Sequence, residues 1–160
     1  MLKTVLKITL VVLMLAFAAA QFVQPNFSNP PVAETETLRA TTEVPDDVQA
    51  VLARSCNDCH SNETRYPWYS KVSPFSWLLA DHIEDGRKEL NLSVWNTYAP
   101  KKKIRKLDEL CEQVERGEMP LPSYLWIHSE AVMRDGDTAL LCNWAKAEGE
   151  RIKQVSGPIE

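Results

Sequence analysis

The chain has 160 residues, of which 44% are hydrophobic and 25% are charged, a balance typical of one globular domain rather than of a disordered protein. Its net charge is −4, with 18 Lys and Arg against 22 Asp and Glu. Because nucleic-acid binding needs a clustered excess of cations, this charge argues against a nucleic-acid-binding protein.

The N-terminal segment is typical of a protein that is exported from the cytoplasm. Lys3 and Lys7 flank the start of an apolar run over residues 8–20, which Gln21 interrupts. We predict a signal peptide or signal anchor over residues 1–23, because the small residues before Gln21 suit cleavage and an uncleaved run would span a membrane. The positively charged N-terminus would stay in the cytoplasm. The rest is expected in the bacterial periplasm, tethered to the inner membrane or soluble after cleavage.

The remaining chain divides into three segments. Residues 24–42 are rich in Pro, Thr, Asn and Glu without a sustained period, which predicts a partly extended, Pro-rich tether. A compact domain is expected over residues 43–152, followed by a C-terminal tail over residues 153–160.

Apolar residues at intervals of three and four predict four or five short helices within the domain, and no stretch alternates long enough to predict a strand. Ser73 and Pro74 suit the N-cap and first position of the second helix, and Gly117 suits the end of the third. The fold class predicted is therefore all-α. The expected inward positions are, helix by helix, Val44, Val48, Val51, Leu52 and Ser55; Phe75, Leu79, His82, Gly86 and Leu90; Ile104, Leu107, Leu110, Cys111 and Val114; and Leu140, Leu141 and Trp144.

The first helix leads into the sequence "CNDCH", which contains Cys56, Cys59 and His60. Positions i, i+3 and i+4 share one face of a helix, so two sulfurs can bond to the vinyl groups of a porphyrin while the imidazole reaches the iron. A zinc site would need more ligands, usually from a second cysteine pair, and a redox dithiol would give the histidine no role. The motif therefore predicts covalent attachment of one haem c.

A six-coordinate iron needs a second ligand from the chain. Met119 follows the third helix and precedes Pro120, so its thioether would sit in a stiff loop. The alternative for Met119 is a methionine that merely fills the core. His82, which lies on the inward side of the second helix, is the competing ligand, and His128 is a weaker one.

At this point the sequence resembles a known family. The stretches "CNDCHSNETRYPWYS", "DHIEDGRKELNLSVW", "GEMPLPSYLWIHSEA" and "LLCNW" resemble the bacterial haem-binding domain family, which is defined around a CxxCH motif and related in pattern to class I cytochromes c. The resemblance covers about Val44 to Trp144, and the leader resembles the family's N-terminal anchor. It implies a small cytochrome c-like helical domain in which Cys56 and Cys59 attach the haem, His60 is the proximal ligand and Met119 occupies the usual distal position.

Other side chains have weaker predicted roles. Arg65 and Arg87 are candidates for pairing with haem propionates, although either is equally a surface arginine. Five cations between Lys101 and Lys106 are either a docking surface or an ordinary solvated helix flank. Tyr66, Trp68, Tyr69 and Trp77 are candidates for walls of the porphyrin site or for ordinary core.

Cys111 and Cys142 are not needed for haem attachment. In an exported chain such a pair favours a disulfide over two free thiols. The bridge would connect the third predicted helix to the fourth.

The sequence as a whole predicts an exported monohaem c-type cytochrome that transfers single electrons to and from a redox partner protein. Such a protein is an electron carrier rather than an enzyme. The alternative is a haem-based sensor or a peroxidase-like enzyme, in which the distal site is open or ligated by His82. A third possibility is a haem-containing module that anchors a larger complex.

Overall fold

The computed structural model describes residues 1–156, and its regular structure is entirely helical, with no strand in that range. This confirms the all-α fold class. The α-helices are α1 (Leu2–Ala20), α2 (Leu38–Thr41), α3 (Asp46–Ser55), α4 (Asn57–His60), α5 (Phe75–Glu89), α6 (Pro100–Glu115), α7 (Pro122–Leu125) and α8 (Asp137–Ser156). Short 3-10 helices span Glu34–Glu36, Trp68–Lys71, Leu92–Thr97 and Ser129–Ala131.

Helix α1 is set apart from the rest of the molecule, since it contributes no buried residue to the core. Among the described residues it is the one helix long and apolar enough to cross a membrane. At a rise of 1.5 Å per residue it spans about 28 Å, close to the thickness of a bilayer's hydrocarbon core. A signal sequence has the same length and composition, so α1 suits either role predicted for residues 1–23.

The segment predicted as a tether is irregular up to Ala33 and then forms two short helices, and it lies against the domain. Asn29 donates a hydrogen bond to the carbonyl of Thr64 at 3.0 Å, and Phe27 packs on the ring of Tyr66 with ring centres 5.1 Å apart. Further along, Leu38 of α2 is buried in the main core. Residues 24–42 are therefore held on the surface of the domain at several points.

The main core lies between α3, α6 and α8, with the 3-10 helix Leu92–Thr97 closing one side. The predicted inward face of α3 is confirmed, since Val48, Val51, Leu52 and Ser55 are all buried. A disulfide between Cys111 and Cys142 joins α6 to α8, with Cα atoms 4.9 Å apart. The cysteine pair that the sequence suggested as a bridge is thus bonded in the structure.

The final helix differs from its prediction in extent and in face. It continues to Ser156, so residues 153–156 of the predicted tail are helical, while residues 157–160 lie outside the described part of the chain. Leu141 is buried as expected, whereas Leu140 and Trp144 are half-buried. The buried face continues instead through the next turns, at Cys142, Ala145, Glu148, Gly149 and Ile152.

Helix α5 also buries a different face from the one predicted. Leu79 and Gly86 are buried as expected, but Phe75 is exposed and Ser76 and Ile83 are buried instead. The helix begins one residue later than expected, with Pro74 as its N-cap. The Ser73 hydroxyl bonds to the hydroxyl of Ser76 at 3.1 Å rather than capping a backbone N–H of the first turn, so the predicted capping role for Ser73 is wrong.

Candidate functional site

The CxxCH motif lies where α3 ends and the single turn of α4 begins. The backbone leaves helical geometry at Cys56, with φ −127° and ψ −42°, and Cys56 still donates to the carbonyl of Leu52 at 3.0 Å. His60 then donates its backbone N–H to the carbonyl of Cys56 at 2.9 Å. One helical turn therefore brings both cysteines and the histidine together, as their spacing predicted.

Helix α5 packs against this turn at very short range, and a glycine makes this possible. A Cβ atom added to Gly86 would lie 2.7 Å from the carbonyl oxygen of Cys59 and 3.0 Å from its Cβ. Contacts this short with backbone cannot be relieved by a change of rotamer. The sequence therefore needs glycine at position 86 to bring α5 next to the motif.

The contact with α5 also orients the imidazole of His60. Its Nδ1 lies 2.9 Å from the carbonyl oxygen of Gly86 and 3.0 Å from that of Leu90. Both partners are acceptors, so Nδ1 carries the hydrogen and Nε2 is left with its lone pair available to a metal. Burial lowers the pKa of His60 below its ordinary value, which favours the neutral form that binds iron.

The motif opens into a cleft between α3, α5, α6 and the loop after α6. The cleft consists of two adjoining cavities of about 410 Å³ and 270 Å³, and the larger is within the size range of small-molecule sites. Much of its wall is leucine. The residues that line both cavities are Ser55, Cys56, His60, Glu89, Met119 and Pro120.

The two thiols of the motif are free and face this cleft. Burial is the main cause that raises the pKa of Cys56 to about 12 and that of Cys59 to about 11. Both are therefore protonated at neutral pH. A redox Cys-x-x-Cys pair has the opposite property, a lowered thiol pKa, so the environment argues against a dithiol oxidoreductase.

Met119 reaches the same cleft from the end of α6. Gly117 follows the helix with a left-handed φ of 67°, as expected of a glycine that ends a helix. The backbone N–H groups of Glu118 and Met119 then both donate to the carbonyl of Gln113, at 3.0 Å and 3.2 Å. These bonds fold the loop back over α6, and Met119 lines both cavities.

Of the two histidines considered as alternative ligands, only His82 lines the cleft, in the smaller cavity. The ring of His128 is already engaged on both sides. Its Nε2 lies 2.8 Å from the hydroxyl of Tyr69 and its Nδ1 lies 3.1 Å from Glu130, while the ring stacks on Tyr124 at 4.1 Å. His82 is therefore the histidine that competes with Met119.

The two arginines considered for propionates have protein partners. Arg65 is an exposed side chain that holds both carboxylate oxygens of Asp58, at 3.2 Å and 3.1 Å. Arg87 donates to the carbonyl of Ser61 at 2.8 Å and to the hydroxyl of Thr64 at 2.9 Å. Both arginines brace the turn that follows the motif, and their predicted contact with propionates stays a prediction.

Lys106 is a cleft residue that the sequence did not single out. It belongs to the cationic run Lys101–Lys106, but its side chain is only 6% exposed and lines the larger cavity. Its Nζ lies 3.0 Å from Glu89 and 2.6 Å from Glu109. Its place in the helical repeat, directly before Leu107 on the inward face of α6, was the only signal in the sequence.

The four aromatic residues considered for the porphyrin site lie elsewhere. Tyr69 is buried with Leu79 and Ile83 in a second small core, while Tyr66 packs on Phe27. Trp68 and Trp77 are exposed.

The donors of the cleft fit a haem bound through two thioether bonds. Two protonated thiols, one imidazole with a free Nε2 and one thioether face an apolar cavity. The hydroxyl oxygen of Ser55 is buried there without a hydrogen-bond partner and is available to a bound group.

Comparison with known proteins agrees with this chemistry. The model of a family described as a haem-binding domain matches residues 15–147, which include every cleft residue named above. No curated protein and no solved structure matches the chain.

Proposed function

This chain belongs to the haem-binding domain family, and from that premise we propose that it is an exported monohaem c-type cytochrome that carries single electrons. The observation that carries the proposal is the single cleft lined by two free thiols, an imidazole and a thioether. A haem held only by its iron needs no cysteine pair. The pair beside His60 therefore favours covalent attachment.

Each donor has one proposed role. Cys56 and Cys59 would form the thioether bonds to the porphyrin, His60 would bind the iron through Nε2, and Met119 would supply the second protein ligand to the iron. When bound, haem supplies an iron centre that accepts and releases one electron. The protein orients the imidazole through Gly86 and Leu90, excludes water with its leucine wall, and favours the ferrous state with a neutral thioether.

Lys106 is the residue we propose for pairing with a haem propionate. It is a buried cation in the larger cavity, where it already holds the carboxylates of Glu89 and Glu109. The hydrogen bonds to these carboxylates raise the pKa of Lys106 although burial opposes its charge. A propionate would be a carboxylate partner of the same kind and would take the place of Glu89, whose side chain is 77% exposed.

The proposed His60 and Met119 ligation supports a carrier rather than an enzyme, because it leaves no coordination position for a substrate. His82 is the alternative distal ligand, since it lines the smaller cavity together with His60. A haem sensor or peroxidase-like enzyme would instead need a distal site that is open or ligated weakly enough to exchange.

Export to the periplasm is supported by α1 and by the disulfide. Disulfides persist outside the cytoplasm, and α1 has the length and composition of an anchor or a signal. We propose that α1 tethers the domain to the inner membrane, where it exchanges electrons with a redox partner protein.

Optical spectroscopy of three methionine and histidine variants tests the proposed ligation. We expect Met119→Ala to abolish the sulfur-to-iron charge-transfer band, to lower the reduction potential and to admit carbon monoxide to the reduced protein. Met133→Ala is the matched control, since Met133 is also a partly buried methionine that packs on the main core. His82→Ala should leave the band in place.

The opposite pattern would transfer the distal role to His82. Rapid binding of carbon monoxide by the unmodified reduced protein would contradict the electron-carrier proposal and favour the sensor or enzyme.

A further inference from the structure

The end of α1 is attached to the start of α5 by a side chain that imitates backbone pairing. The carbonyl oxygen Oε1 of Gln21 accepts the backbone N–H of Ser73 at 3.0 Å, and Nε2 of Gln21 donates to the carbonyl of Ser73 at 3.1 Å. Ser73 is fully buried beneath this contact. Gln21 thus engages both backbone polar groups of one residue, as the opposite residue of an antiparallel strand does at a hydrogen-bonded pair.

Two further bonds lock the same junction. The indole nitrogen Nε1 of Trp77 donates to the carbonyl of Val23 at 2.7 Å, and Nε2 of Gln24 donates to the hydroxyl of Ser73 at 2.9 Å. The chain that leaves α1 is therefore fastened to the first turn of α5. In a free tether these polar groups would bond to water. Because they bond to one another here, the junction gives the domain a defined orientation relative to α1.

Large apolar side chains are exposed around this junction. Phe22 and Val23 follow α1 directly, and Phe75, Trp77 and Leu78 occupy the first turn of α5. We call these five residues the junction patch. Trp68 is a further exposed aromatic residue, in the 3-10 helix Trp68–Lys71 that packs against α5. A cluster of this kind is uncommon on a surface that faces only water.

We propose that the junction patch lies in the lipid headgroup layer of the membrane that α1 spans, so that the domain rests on the bilayer in one orientation. This inference rests on the proposed anchor role of α1. The patch is continuous with the end of the apolar helix, which is where a bilayer surface must meet the domain. Trp and Phe in such a position are typical of the membrane–water interface, where an indole keeps its apolar ring in lipid and its N–H bonded.

The proposed orientation fixes the position of the iron ligand relative to the membrane. Gly86, which contacts His60, lies thirteen positions after Ser73 along the chain. At about 1.5 Å per helical residue, α5 places this contact no more than about 20 Å from the junction. The haem cleft would therefore stay close to the bilayer. A membrane-bound redox partner could then reach it, and not only a freely diffusing one.

Photo-crosslinking of the full-length holoprotein in phosphatidylethanolamine–phosphatidylglycerol vesicles tests the proposal. The photoreactive residue p-benzoylphenylalanine replaces one of Phe75, Leu78 or Trp68, and lipid adducts are measured by mass spectrometry. Val155 is the matched control, since it is 75% exposed, as is Trp68, but lies near the end of α8, which packs against α3 and α6. Val12, inside α1, reports whether the helix itself is in lipid.

We expect the patch positions to give about tenfold more lipid adduct than position 155, since interfacial aromatics contact headgroups and acyl chains. One outcome is lipid adduct at position 12 but no more adduct at positions 75 and 78 than at the control position 155. That outcome would overturn the proposed membrane contact of the junction patch but not the anchor role of α1. An absence of adducts at 12, 75 and 78 alike would overturn both. Crosslinks from the patch to a second polypeptide instead of lipid would also overturn it.

Staining the same samples for covalently bound haem keeps the two proposals distinguishable. Failure of haem attachment is then seen independently of any result at the patch.

Discussion

The two walls of the proposed haem cleft are built in different ways. On the His60 wall, α4 and α5 meet through backbone contacts so short that Gly86 is required, and two carbonyls hold the imidazole. On the Met119 wall, a loop folds back onto Gln113 at the end of α6, and a disulfide ties α6 to α8.

This difference indicates different requirements for the two proposed iron ligands, His60 and Met119. The His60 wall leaves the imidazole one orientation, since both partners of Nδ1 are main-chain carbonyls, one within α5 and one at Leu90 directly after it. The Met119 wall instead contains a covalent link, at Cys111, about two helical turns before Met119. Substitutions in α5 should therefore affect the site by disturbing its packing. Substitutions around Met119 should affect it by changing the flexibility of α6 and the loop that follows.

The largest expected effect comes from removing the covalent link. The double substitution Cys111→Ala and Cys142→Ala should lower the free energy of unfolding by about 3–4 kcal/mol, because the bridge closes a loop and so restricts the unfolded chain. Denaturant unfolding of the holoprotein measures this loss. Hydrogen exchange should accelerate in α6 and α8 more than in α5.

Reduction of the unmodified protein is the control and should reproduce the same shift in unfolding midpoint. An unchanged midpoint in the double variant, with the bridge verified in the parent, would mean that the Met119 wall does not depend on it.

Gly86→Ala tests the close packing of the His60 wall. The added methyl would meet the carbonyl oxygen of Cys59 at 2.7 Å, so we expect a loss of about 1–3 kcal/mol in stability. The matched control is Gly149→Ala, because Gly149 is a helical glycine whose added Cβ meets nothing within 4 Å. That control should be stabilising by about 0.5–1 kcal/mol. Equal effects at both positions would contradict the difference between the walls.

Gly117→Ala should have a smaller effect on the Met119 wall. Its left-handed φ of 67° costs a residue with a Cβ about 1 kcal/mol, although the space around it is open. We expect a slightly lower thermal midpoint and a weakened sulfur-to-iron band, with no change in covalently bound haem. A loss of bound haem would mean that Gly117 affects folding as a whole rather than the methionine loop alone.

The smallest predicted effect is a pH dependence in the haem-free protein. Burial lowers the pKa of His60 in the folded protein below the ordinary value of 6.5, which applies to the unfolded chain. At a pH between the folded and the unfolded pKa, the unfolded chain therefore binds more protons than the folded one. Stability should therefore fall as the pH drops below about 6.5 and should be insensitive to this group above it. His60→Gln should flatten that part of the profile, and an unchanged slope would contradict the buried, neutral imidazole.

The residues of the His60 wall were predictable because they are neighbours in sequence. The spacing of Cys56, Cys59 and His60 defines a single helical turn, and the apolar repeat of α3 sets its direction. The contact between Gly86 and Cys59 was not predictable, because it depends on how α5 packs against a segment 27 residues earlier.

The inward face of α5 was predicted less well for a related physical reason. Phe75 belongs to the apolar repeat but is exposed, because the first turn of α5 meets the chain that leaves α1, where Trp77 bonds to Val23, instead of the core. Lys106 shows the converse, a charged residue that is buried because two carboxylates neutralise it inside the cleft. Apolar periodicity alone identifies neither case.

The central claim is that Cys56 and Cys59 hold one haem covalently, and the intact mass of the denatured, purified protein tests it most directly. We predict the mass of the polypeptide plus one haem, retained after extraction with acidified acetone. Cys56→Ala or Cys59→Ala should leave at most one thioether and reduce the yield of haem-bearing chain sharply, whereas the paired Cys111→Ala and Cys142→Ala variant should keep the added mass. A polypeptide that loses all its haem on denaturation would contradict the account.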